Sequence, residues 1–121
     1  MRLAADVAAA LVAAIHVWIL VLEMFLWRKP IGLRLFRLTP ERAETTAVLA
    51  ANQGLYNGFL AAGLFWGLAL GGAPAALPVR TFFLTCVVVA GVYGALTANR
   101  RILFVQALPA LLALALARLA A

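Results

Sequence analysis

Four apolar runs leave this chain few folds to choose from. They cover Leu3–Trp27, Thr45–Leu70, Pro78–Ala98 and Ile102–Arg118. An α-helix rises ~1.5 Å per residue, so a run of roughly 17–25 apolar residues matches a ~30 Å hydrocarbon layer. Charged residues are 12% of the 121 positions and mean hydropathy is +1.07, whereas soluble domains carry about 25% charge. The expected fold is all-α: a polytopic membrane protein whose residues 1–121 form a single domain of four transmembrane helices in an antiparallel bundle.

The breaks between the runs carry their own signals. Pro30 and Gly32 stop the first helix, because proline lacks the amide that helix continuation needs. Between them and Thr39, apolar residues alternate with Arg34 and Arg37, which suits a short in-plane segment with its arginines among headgroups. Thr39-Pro40-Glu41 reads as a helix start, with a hydroxyl cap, proline at the first position and an acid in the first turn. Gly71-Gly72-Ala73-Pro74 is a turn. Pro109 removes one backbone hydrogen bond within the fourth run and is expected to kink it.

Basic residues set the orientation. Arg28, Lys29, Arg34, Arg37, Arg42, Arg100 and Arg101 lie on one side of the expected bundle, against Arg2, Arg80 and Arg118 on the other. The positive-inside rule then puts both termini outside and the first and third connections in the cytoplasm. The formal charge of +6 is accounted for by this anchoring. No nucleic acid is expected as a partner, because the aromatic residues are not interleaved with basic ones as such binders require. The partner is the lipid bilayer. The first run could pass for a signal peptide, but it holds His16 and Glu23 and ends in bulky Phe25, Leu26 and Trp27, so it is expected to be retained.

One stretch inside the second run is too polar for plain anchoring. Asn52, Gln53, Tyr56 and Asn57 fall at i,i+4 pairs on a helix and make one polar stripe. An amide facing hydrocarbon costs several kcal/mol, roughly 2–7 depending on reference, so the stripe calls for protein or a wet cavity. The other runs contribute polar groups at similar depth: Glu23 and His16 from the first, Tyr93 and Thr97 from the third, Gln106 from the fourth. These nine residues are the candidate ligand-binding or proton-exchange set, expected to converge on one cytoplasm-facing cavity.

Glu23 stands out, because an ionisable side chain inside a span is a functional candidate by default. Asn52, Gln53 and Tyr56 are the donors the sequence offers it, and Arg28 or Lys29 would be its partner if it only reached for the boundary. His16 can act as a base, a relay or a tie between helices. One His and one Glu without a paired spacing make no metal site, and no metal or cofactor is expected. Cys86 is single and sits in an apolar run. Gly54, Gly58, Gly63, Gly67 and Gly71 include three pairs at spacing four, which lets helices approach closely within the chain or in a homodimer.

The segments Leu22–Trp27, Leu38–Glu41 and Leu49–Gly63, the last reading LAANQGLYNGFLAAG, resemble a small bacterial four-helix integral membrane family of unknown function. That resemblance spans essentially the whole chain. It implies four transmembrane helices in a bacterial inner, cytoplasmic membrane, and it implies no activity. In arrangement alone, small multidrug transporters are similar in length, helix number and a membrane Glu on the first helix, though they insert with little charge bias. Membrane sterol isomerases also gather His, Glu and Asn in a helical pocket. Three functions therefore stand side by side: binding or translocation of a small amphipathic or cationic ligand with Glu23 as titrating group, isomerase-like acid/base chemistry on a lipid or isoprenoid, and a structural or accessory role.

Overall fold

The computed structural model describes residues 1–121 and contains helices with no strands. Their order is α1 (Arg2–Met24), α2 (Pro30–Phe36), α3 (Pro40–Ala69), α4 (Ala76–Thr97), a π-helical turn (Leu103–Ala107) and α5 (Leu108–Leu119). α1 and α4 are each long and apolar enough to cross a membrane. α3 has 30 residues and is longer than either, but the amides of its polar stripe dilute the apolar run. The π-turn and α5 form a shorter apolar rod, Leu103–Leu119. Four spans are thus not what length and hydropathy alone deliver.

The chain divides into two compact units. One comprises residues 1–15 and 60–121 and is built on small side chains. Its core joins Val12 and Ala13 of α1, Leu64 of α3, Leu84 and Val87 of α4, and Ala110 and Ala113 of α5. Alanine and glycine keep the backbones close. A Cβ on Gly91 would lie 2.6 Å from the Ala107 amide nitrogen, and one on Gly63 would strike the Phe83 ring. The connection before α4 turns at Gly71, whose φ of +58° is open to glycine at little cost.

Pro109 interrupts the α-helical hydrogen bonding by a specific route. It sits at the second position of α5, and the five preceding residues widen into the π-turn, closed by the Leu108 amide on the Leu103 carbonyl. Proline can neither donate to the carbonyl four residues back nor fit its ring against it, and an inserted wide turn relieves both demands.

The second unit, residues 16–59, holds the corner between α1 and α3. α1 ends at Met24, and Leu26 donates to the carbonyls of both Val21 and Leu22 as the helix loosens. Lys29 is extended, Pro30 opens α2, and α2 stops at Arg37 in the left-handed region. Gly32 rests on the corner so tightly that a Cβ there would fall 2.0 Å from the Leu26 carbonyl oxygen. The rings of Trp27 and Phe36 pack 4.7 Å apart, and the Trp27 indole donates to Thr46 Oγ1. α3 starts as its sequence predicts, with the Arg42 amide donating to Thr39 Oγ1.

Candidate functional site

Small residues decide which side of α3 meets α1. Ala43, Ala50, Gly54 and Ala61 are buried, at helical spacing. The closest approach is at Gly54, where a Cβ would come within 2.7 Å of Met24 Cγ and 3.1 Å of Glu23 Cβ. At ~100° per residue, Asn57 falls on the flank of this face, whereas Asn52 and Tyr56 fall about half a turn away from Gly54. The helix phase therefore splits the stripe.

Asn57 takes the inner place. Its Nδ2 donates to Glu23 Oε1 at 2.7 Å and to the Gln53 carbonyl at 3.1 Å. Glu23 is only 8% exposed, and Asn57 is its one side-chain partner. Arg28 goes elsewhere, to Glu44 at 3.0 Å, in a pair more than half exposed on both sides. So Glu23 is neither tied to the boundary arginine nor matched to the donors its sequence neighbours suggested. The residue that reaches it is the one sharing the glycine face.

The rest of the candidate set is arranged differently from expectation. Asn52 donates to its own helix, at the Val48 carbonyl, and is exposed, as are Gln53 and Tyr56. Tyr93 and Thr97 are exposed on α4, and the Thr97 hydroxyl bonds back to the Tyr93 carbonyl. Gln106 is half-buried within the π-turn. Glu23 and Asn57 meet directly, whereas the exposed Asn52 and Thr97 bond within their own helices. The physical reason is that side-chain amides and hydroxyls on a helix can satisfy themselves against carbonyls one turn back. His16 is fully enclosed. Four of the glycines pack inside the chain: Gly54 and Gly58 against α1, Gly63 and Gly67 against α4.

Another charged contact escaped sequence reasoning. Arg80, 7% exposed on α4, lies across Gly67, donates Nε to the Gly67 carbonyl at 3.0 Å and bridges to Asp6 of α1 through Nη1. The signal was an acid near the start of the first apolar run and a base near the start of the third, with a glycine available to admit the long side chain.

The geometry comes with a lineage. The DUF1304 family, a protein family of unknown function, matches residues 10–118. The chain belongs to it. The chain is also similar to the uncharacterized protein YpaA of Lactococcus lactis subsp. lactis (strain IL1403), 33% identical over 106 residues, which is 86% of this chain and 87% of YpaA. No solved structure matches the chain significantly. Membership extends over both contacts except Asp6, which precedes the matched residues, and it assigns no chemistry to either.

Proposed function

We propose that this DUF1304 protein is an integral membrane protein that binds a small cationic or amphipathic ligand at Glu23. The observation that carries the reading is a carboxyl inside a membrane-length helix, almost fully covered, whose side-chain partner is a neutral amide and not a cation. Such a group is costly to keep in hydrocarbon unless it has a task or a counter-charge. A ligand cation would supply the counter-charge, and Asn57 would hold the carboxylate in one orientation while it binds. Gln53, one turn before Asn57, offers a second polar group on the open side.

In this reading α1, α3, α4 and the rod of π-turn and α5 are the four spans of an antiparallel bundle in a bacterial inner membrane. Both termini are outside. The support is the length of α3 and the basic residues gathered in the first and third connections.

A homodimer completes the picture. The exposed Asn52, Gln53 and Tyr56 cannot rest against acyl chains cheaply, and an amide is both donor and acceptor, so a second copy can cover them by symmetry. Because Gly54, Gly58, Gly63 and Gly67 are occupied by the chain's own helices, the copy docks on the amide stripe. Acid/base chemistry on a lipid is less supported, since enclosed His16 is withheld from any substrate.

The test is binding of a lipophilic cation, such as tetraphenylphosphonium, to wild type and Glu23→Gln in matched lipid nanodiscs. Loss of binding in the variant with its fold intact supports the reading. Equal binding in both removes Glu23 from function.

A further inference from the structure

At the end of α1 farthest from the arginine-rich connection lies a cavity of about 190 Å³. Two guanidinium groups line it, those of Arg2 and Arg80. Arg80 is held rigidly by Gly67 and Asp6, and Asp6 neutralises one of the two charges. Arg2 makes no ion pair; its guanidinium lies over Gly72, where a Cβ would sit 3.1 Å from Nη2. The absence of a side chain on Gly72 is what leaves the cavity floor open beneath Arg2.

The backbone adds to the field. α4 begins here without a side-chain cap, and Ala76 and Leu77 of its first turn line the wall. The Ala76 amide is already bonded to the Ala73 carbonyl, so what α4 adds at this wall is the positive end of its dipole. The end of α5 also reaches the cavity and its carbonyls oppose this, but Arg118 stands in that last turn. Arg2 brings the one unpaired side-chain cation of the lining to a recess sized for a small anionic group, and a planar guanidinium recognises oxyanions through paired hydrogen bonds.

We propose that the Arg2–Arg80 cavity binds an anionic phosphate group. This site is separate from Glu23 and stands whether or not Glu23 binds a ligand. The phosphate belongs to a lipid headgroup or is free in solution, and the two sources give different results.

The experiment measures thermal unfolding of the full chain in phosphatidylcholine nanodiscs, then with phosphatidylglycerol included, then with inorganic phosphate added. Arg2→Gln is compared with wild type, and Arg34→Gln serves as a control for general attraction to an anionic surface. Arg2 is exposed and free of ion pairs, so the variant keeps the basal midpoint. The expected result is a rise of the wild-type midpoint that Arg34→Gln retains and Arg2→Gln loses, with roughly tenfold weaker binding in the latter. A rise with phosphatidylglycerol alone identifies a lipid headgroup, and a rise with inorganic phosphate identifies a free anion. No rise from either probe, or an equal rise in Arg2→Gln, overturns the proposal.

Discussion

The two acids of α1 that reach another helix solve the same problem by opposite means. Asp6 meets a cation, Arg80, which is itself anchored to the Gly67 carbonyl. Glu23 meets only Asn57. Burying an ion pair is costly in desolvation, and it persists when extra hydrogen bonds satisfy the remaining donors, as Gly67 does for Arg80. A carboxyl held by one neutral amide has no such compensation. The first contact is complete as it stands, and the second is complete only with something added. That difference is why a ligand's counter-charge is sought at Glu23 and not at Asp6.

Breaking the complete contact should have the largest effect. Asp6→Ala leaves the Arg80 charge buried beside Gly67, and we expect a loss of about 3 kcal/mol, measured as detergent-resistant unfolding. Replacing both, Asp6→Leu with Arg80→Met, should recover most of it, because no charge remains to desolvate. A double variant as unstable as the single one would show that the pair matters for packing and not for charge.

The incomplete contact should break more gently. Asn57→Ala removes the donor from Glu23 Oε1, with an expected loss of roughly 1–3 kcal/mol if the carboxyl stays covered. A loss near zero in the same unfolding assay would mean that the Glu23 carboxyl already finds water, and the contrast with Asp6 would weaken. Arg28→Ala should cost the least, about 0–1 kcal/mol, since its pair with Glu44 is exposed. If instead it matched Asn57→Ala in stability and in ligand binding, the boundary charge would be part of the Glu23 environment.

The sequence made most of the helical pattern legible, and particular residues show why. Pro30, Thr39-Pro40, the Gly71-Gly72 turn and Pro109 all act locally, through a missing amide, a capping hydroxyl or an open φ, so their consequences appear where they stand. The α1 end was less readable: the apolar run continues to Trp27, but Gly32 presses α2 onto the Leu26 carbonyl and the helix stops at Met24. The polar stripe is visible in the sequence, and its helical phase decides which amide turns inward. Ala50, Gly54 and Ala61 already mark the face that meets another helix, and Asn57 lies beside it while Asn52 and Tyr56 lie opposite. Asp6 and Arg80 were not legible as partners because 74 positions separate them in the chain. Only the close approach at Gly67 reveals them as a pair.

The central claim is that Glu23 acts as a ligand's counter-charge, and Glu23→Gln tests it most directly. Glutamine preserves volume and a hydrogen-bonding oxygen toward Asn57, so stability should change by less than about 1 kcal/mol. Binding of a lipophilic cation should fall to background at the same time. Calorimetry on wild type and variant in the same nanodiscs reads binding, and unfolding on the same samples reads stability. Unchanged stability with lost binding is the predicted result. Unchanged binding, or a collapse in stability comparable to Asp6→Ala, would place Glu23 among the structural contacts and contradict the account.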